Sequence, residues 1–209
     1  MVNKIGITFL GDSIMKYNKN SSQMSWLLNV RKKLKNKFKN KITIYSKQVI
    51  GLNSRGLVNL ISDYYPKVKN KQLLVIQIGI NDSWHYESMK GLPEVSVNSF
   101  KRNLEEIYKK SIISGYENIT LINYHKLMNN RIEINKRSLN FNLKKYNEAI
   151  RDFCKKKRLQ LIDVNKKSLD GKNYCLPLPD GIHLNRNGVK FYSNIILNYL
   201  IKIIDEKNL

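Results

Sequence analysis

Residues 5–13 read IGITFLGDS, and the reading of this stretch decides the fold. Residues 5–10 form an unbroken, mostly apolar run that Gly11-Asp12-Ser13 brings to an end. A short run without polar alternation marks a strand covered on both faces, as in a parallel sheet flanked by helices. Four further strands follow: residues 42–50 (ITIYSKQVI) closed by Gly51, 73–78 (LLVIQI) ending at Gly79, 119–124 (ITLINY) and 159–164 (LQLIDV). Between them, apolar residues recur at helical spacing over residues 26–38, 57–65, 97–114, 139–157 and 188–204. Pro66 stops the second of these and Gly115 suits the C-terminal cap of the third. Five strands alternating with five helices predict an α/β domain built on a five-stranded, mostly parallel sheet. Residues 125–138 (HKLMNNRIEINKRS) are the longest connection and read as a flexible flap.

Length and composition set the outer bounds. The 209 residues fit one domain, 1–209, long enough to bury roughly 70% of its unfolded surface without a disulfide or metal staple. A chain that is 42% hydrophobic and 26% charged is neither disordered nor membrane-embedded. With 38 Lys and Arg against 16 Asp and Glu, the net charge is +22, which raises a polyanion or nucleic acid as partner. The kind of cation weakens that reading. Thirty are Lys and eight are Arg, whereas base and phosphate readers favour the Arg fork. The chain also holds 27 Asn, 25 Ile and a single Ala, Ala149, so the lysine excess follows AT-rich codon usage. Specific nucleic-acid binding is not expected, and neither a glycine-rich phosphate loop nor an RNA-binding aromatic motif is present.

Cys154 and Cys175 make no disulfide framework and no CxxC pair, which points to a reducing compartment. Only six mostly apolar residues precede Gly11, too few for a secretory leader, and no apolar run approaches a membrane span. A cytoplasmic location is expected. The three histidines show no HxH or HExxH spacing, so neither a metal nor another cofactor is expected.

Strand ends are the place to look for chemistry, because ligands of open parallel sheets sit beyond the carboxyl ends of the strands. One strand ends in Gly11-Asp12-Ser13, the next at Gly51, and the third in Gly79-Ile80-Asn81-Asp82. Asp180-Gly181-Ile182-His183 precedes the last helix. A hydroxyl nucleophile, two oxyanion donors and a carboxylate–imidazole pair on one rim are the parts needed for acyl transfer. Each piece alone is an ordinary turn composition; it is their joint occurrence, in order, that points to a hydrolase. Cys175, eight residues before His183, is a weaker nucleophile candidate. His85 and His125 follow strand ends and either border the cleft or lie on the surface. Trp84, His85 and Tyr86 follow Asn81 and are candidates for lining the cleft as substrate-binding residues.

The sequence resembles the GDSL/SGNH hydrolase family. The resemblance runs from Gly11-Asp12-Ser13-Ile14 through Gly51 and Gly79-Ile80-Asn81-Asp82 to Asp180-Gly181-Ile182-His183-Leu184. It implies a flavodoxin-like, three-layer α/β/α sandwich. It also implies Ser13 as nucleophile, His183 as general base and Asp180 as the group that orients it. The oxyanion hole would comprise the Ser13 N–H, the Gly51 N–H and the Asn81 amide. Ile14 stands where Leu is usual, and Lys16-Tyr17 replace a common glycine, changes that bear on substrate shape. The Gly-Asp-Ser turn, with Asp just before His, disfavours a G-x-S-x-G nucleophile elbow. The expected activity is a serine esterase cleaving a carboxylic ester, with a short acyl group on a carbohydrate or small molecule as the favoured substrate. An acyltransferase with a sugar or alcohol acceptor is the nearer alternative. A polyanion-binding protein with an idle hydrolase fold is the more distant one.

Overall fold

Strand β1 (Ile5–Gly11) is buried along its whole length, and the remainder of the sheet is built outward from it. A computed structural model of the chain describes residues 5–16, 25–64, 72–85, 92–128, 139–168, 172–177 and 180–206. On one side β1 pairs with β2 (Ile42–Gln48), and on the other with β3 (Gln72–Gln77), β4 (Asn118–Ile122) and β5 (Gln160–Ile162). The order is β2-β1-β3-β4-β5 and all four pairings are parallel. This is the flavodoxin-like order, with its switch point between β1 and β3. Gly11 aligns with Gln48 on β2 and Gln77 on β3, so these three adjacent strands end level.

Helices cover both faces. Helix α1 (Trp26–Phe38) and the last helix, α6 (Arg186–Glu206), pack together on one face. There Phe9, Val75, Trp26, Tyr192 and Ile196 share a core cluster. Helices α2 (Ser54–Leu60), α3 (Val97–Ile113) and α4 (Leu139–Lys157) cover the other, where Leu74, Ile76, Phe100 and Ile150 meet. Alternation along β3 sends Leu73, Val75 and Gln77 to one face and Leu74 and Ile76 to the other, the period of two that a sheet covered on both sides requires. No helix among the described residues is long and apolar enough to cross a membrane.

The element boundaries differ from the sequence reading for local reasons. Helix α2 starts at Ser54 instead of residue 57, because the Asn53 side chain caps it by accepting from Gly56 N–H at 2.8 Å. It gives way to a 3₁₀ turn, Ile61–Asp63, and its expected end at residues 65–66 lies outside the described residues. Strand β5 is three residues long, not six. Asp163 leaves the sheet to cap a sixth, unexpected helix, α5 (Val164–Lys167), and pairs with Arg151 at 2.7 Å. Most of the expected flap, 129–138, lies outside the described residues. Gly115 ends α3 with φ +91°, the expected left-handed cap.

Helix α6 begins at Arg186, two residues early, with Asn185 accepting from Gly188 N–H at 2.9 Å. Glycine is required at 188 by close approach: a Cβ there would lie 2.2 Å from the Tyr174 carbonyl oxygen. Tyr174 belongs to the segment that pairs with the His183 loop through Leu176 N–H to His183 O (2.7 Å) and Asn185 N–H to Tyr174 O (2.9 Å). Gly188→Ala therefore pushes that segment outward, at a cost of about 1–3 kcal/mol and a fall in Tm of roughly 2–12 °C. Thermal melting checks this; an unchanged Tm would mean that the segment yields freely.

Candidate active site

The level ends of β1, β2 and β3 create the rim on which the candidate residues sit. Ser13 lies two residues beyond β1, in a turn closed by Met15 N–H to Asp12 O (3.2 Å) and Lys16 N–H to Ser13 O (3.0 Å). His183 arrives from the other end of the chain, 170 residues away, and places Nε2 2.9 Å from Ser13 Oγ. Its Nδ1 lies 2.8 Å from Asp180 Oδ2. With the imidazole proton on Nδ1 and donated to Asp180, Nε2 is the acceptor that faces the serine hydroxyl. The turn is tight because Gly181 takes φ +63° and Asp180 Oδ1 accepts from both Ile182 N–H (2.9 Å) and His183 N–H (2.7 Å). Burial pushes the Asp180 carboxyl upward. The hydrogen bonds from the His183 ring and the two backbone N–H groups outweigh it, and the carboxyl titrates below its ordinary range.

Gly51 and Asn81 are joined across the rim. Asn81 Nδ2 donates to the Leu52 carbonyl at 2.8 Å, which ties the loop after β3 to the loop after β2 and leaves the second amide hydrogen for a ligand. Gly51 adopts φ +72°, a left-handed conformation that side chains disfavour, while a Cβ there would meet nothing within 4 Å. Glycine is thus required at 51 by backbone conformation and not by crowding. Among the described residues the Gly51 N–H donates no hydrogen bond.

Two buried carboxylates beneath the rim were not singled out in the sequence. Asp12 is fully buried and accepts from Ile14 N–H at 3.0 Å and from the Tyr124 hydroxyl, bracing the Ser13 turn against β4. Burial pushes its carboxyl up to about 7; the bonds from Tyr124 and Ile14 offset part of that effect, and nearby Asp82 adds to it. Asp82 is also fully buried. It accepts from the Ser54 N–H at 3.0 Å and from the Ser54 hydroxyl, and burial pushes it to about 6. Asp82 thereby pins the start of α2, just beyond Gly51, to the Asn81 loop. Both acids stand beside the residues that drew attention, in Asp12-Ser13 and Asn81-Asp82, but their partners, Tyr124 and Ser54, carry no local signal.

The remaining candidates separate. Cys175 is buried and its thiol is pushed up to about 12, so it is no nucleophile. His125 neither borders the cleft nor lies on the surface. It is fully buried behind the His183 loop, with Nδ1 2.7 Å from the Tyr192 hydroxyl and Nε2 3.3 Å from Cys175 Sγ. Burial pushes its imidazole down to about 4. Trp84 is half-buried and its backbone N–H donates to the Asn81 carbonyl at 3.1 Å. His85, half-buried as well, has Nδ1 3.2 Å from Asn142 Nδ2 of α4. Tyr86 lies outside the described residues. No group of three or more His, Cys, Asp or Glu among the described residues is arranged to hold a metal ion.

Comparison with known proteins places this geometry in context. A family model described as GDSL-like Lipase/Acylhydrolase matches residues 7–196. No curated protein matches the chain by sequence. Among solved structures, a lipase/acylhydrolase from Enterococcus faecalis superposes with a TM-score of 0.72 at 18% identity, covering 94% of this chain and 95% of that one. An acetyl xylan esterase superposes with a TM-score of 0.73 at 20% identity, covering 93% and 99%. A catalytic mutant of an acetylxylan esterase from Geobacillus stearothermophilus gives 0.73 at 15% identity, covering 95% of each. At these identities the structural likeness speaks for the fold.

The buried acids give the folded state a defined pH dependence. A carboxyl raised from 3.8 to about 7 on folding contributes stability that is complete below about pH 4 and is lost as pH rises through about 7. His125, depressed to about 4, has the opposite slope, confined to the range between about 4 and the ordinary imidazole value near 6.5. From about pH 6.5 to 8 the Asp12 contribution therefore dominates, and Tm should fall over that window. Asp12→Asn, which keeps the shape and one acceptor, should flatten the fall. Equal slopes for the two proteins would exclude Asp12 as its source.

Proposed function

Because the chain belongs to the GDSL-like lipase/acylhydrolase family, whose members are carboxylic ester hydrolases, we propose that it cleaves its ester through an acyl-enzyme on Ser13. The observation that carries this reading is the relay from Ser13 Oγ through His183 to Asp180, with contacts of 2.9 and 2.8 Å. In the first step Ser13 Oγ attacks the ester carbonyl while His183 Nε2 takes the hydroxyl proton. Asp180 holds the ring and stabilises the imidazolium that forms. Negative charge gathers on the former carbonyl oxygen, where the N–H groups of Ser13 and Gly51 and the free amide hydrogen of Asn81 receive it. Collapse of the tetrahedral species expels the alcohol, which takes the proton from His183. Water then repeats the sequence on the acyl-enzyme and releases the acid.

The proposed substrate is a short acyl ester, with acetyl on a carbohydrate favoured. The support is a chain matched nearly end to end by solved structures, two of them named as acetyl xylan esterases.

Three substitutions test the assignment. Ser13→Ala should keep the wild-type Tm and lower kcat on p-nitrophenyl acetate by roughly 10⁴-fold or more, and a fluorophosphonate should label the wild type but not the variant. Asp180→Asn should cost roughly 10²–10⁴-fold, since the imidazole loses the partner that fixes its tautomer. Asn81→Ala should lower kcat by about 10²–10³-fold with little change in KM, because the charge it meets is full only at the tetrahedral stage. Full turnover by the Ser13 variant would remove the mechanism. A change confined to KM would make Asn81 a substrate-binding group instead.

A further inference from the structure

The 16 acidic residues are unevenly placed: none falls between Asp12 and Asp63. Those 50 residues carry 11 Lys and Arg and build the Ser13 turn, α1, the edge strand β2 and the start of α2. AT-rich codon usage raises lysine along the whole chain, but it does not clear one contiguous block of acids. The ion pairs tell the same story. Lys110, Lys144, Lys156, Lys157, Lys202 and Arg151 all pair with carboxylates on α3, α4, α6 or beside β5. Among the described residues of the acid-free block, no Lys or Arg forms an ion pair.

These cations follow the open edge of the sheet. Arg31 Nη1 donates to Ser46 Oγ of β2 at 2.9 Å, which fixes the side of α1 that faces the edge strand. Lys35 follows one helical turn later on the same side, and Lys39 and Lys41 occupy the 3₁₀ turn that leads into β2. Lys47 is exposed at the far end of β2, and Arg55 is exposed in the first turn of α2, four residues past Gly51. Six residue steps of β2 span about 20 Å. The row therefore runs from the base of the sheet up to the loop that bears Gly51.

We propose that this edge is a docking track for a polyanionic glycan, and that the ester cleaved at Ser13 is carried on that glycan. The inference rests on the ester-hydrolase reading of the site and adds the charge of the polymer to it. Lysine suits the task, because an ammonium on a flexible stem meets regularly spaced carboxylates or phosphodiesters without the fixed fork geometry of arginine. Two lysines to each arginine along the row fit a charged sugar chain better than the arginine-led contacts of a base-reading surface. Electrostatic capture along the edge raises the local concentration of ester at the rim without touching the reacting atoms.

The test compares kcat/KM on acetylated polygalacturonate, acetylated xylan and p-nitrophenyl acetate between about 0.05 and 0.5 M NaCl, where the screening length contracts severalfold. The variant is Lys35→Gln/Lys41→Gln/Lys47→Gln, all exposed positions remote from Ser13 in sequence. The wild type should prefer the anionic glycan at low salt and lose about tenfold of that preference at high salt. The variant should lose about tenfold on the anionic glycan at low salt while keeping wild-type turnover of p-nitrophenyl acetate. If the triple variant melts lower, Lys47→Gln alone should still lose about twofold on the anionic glycan. Equal use of the two glycans, or a variant indistinguishable from wild type, overturns the track and leaves the esterase standing. No turnover on any ester overturns the esterase. Retention on unacetylated polygalacturonate, lost or kept in the variant, then decides whether the track binds a polyanion. Tighter, salt-resistant binding of duplex DNA than of polygalacturonate would assign the edge to nucleic acid and overturn the proposal.

Discussion

Parallel pairing in register is the constraint from which the site follows. Once β1, β2 and β3 are aligned so that Gly11 faces Gln48 and Gln77, the loops that leave them must emerge side by side at one edge. Ser13, Gly51 and Asn81 are then neighbours although 38 and 30 residues separate them along the chain. Loops alone would not hold them there, since each exposes backbone polar groups with several possible partners. Asp82 settles the matter by taking both the N–H and the hydroxyl of Ser54, and Asn81 adds its bond to the Leu52 carbonyl. The rim is thus a sheet edge made rigid by side chains that accept or donate to the opposite loop.

What could be read from the sequence was what is local. The apolar runs of β1 and β3 are complete within six or seven residues, and Ser13, Asn81, Asp180 and His183 each sit in a short turn with a recognisable composition. Their spacing in the sequence is enough to identify a rim, because strand ends of a parallel sheet converge by topology. The contacts that were not legible join distant segments. Tyr124 meets Asp12 across 112 residues and Asp82 meets Ser54 across 28, and no pattern in one segment announces a partner in the other. The shortness of β5 has the same origin. LQLIDV has the composition of a longer strand, but Asp163 is claimed by Arg151 and Asn123, and the chain turns into a helix to let it. His125 was misjudged because a histidine after a strand is ordinarily wet; here Tyr192 and Cys175 enclose it.

The molecule distributes charge by depth. Its surface carries a large excess of ammonium groups, while two of its carboxyls lie in the interior beneath the Ser13 and Asn81 loops. Burial raises both of them toward neutrality, and hydroxyl donors make the cost bearable without a counter-cation. The Asp180 carboxyl is handled in the opposite way. Asp180 stays partly accessible and collects two backbone N–H groups and an imidazole, so it remains an anion where an anion is needed. Neighbouring acids in one site are thus shifted in opposite directions by the donors around them and by access to water.

The 170 residues between Ser13 and His183 have a consequence for how the protein comes into being. On a ribosome adding 5–20 residues each second, the serine is made roughly 10–30 s before the histidine that contacts it. Once residues 42–77 have followed, β1 can pair with β2 and β3 while the Ser13 hydroxyl still lacks its imidazole partner. That contact forms only when the closing turn docks and α6 packs beside α1. The order of the chain therefore acts as a timer: the α1 face of the sheet is completed, and Ser13 meets His183, only after the last helix has been made.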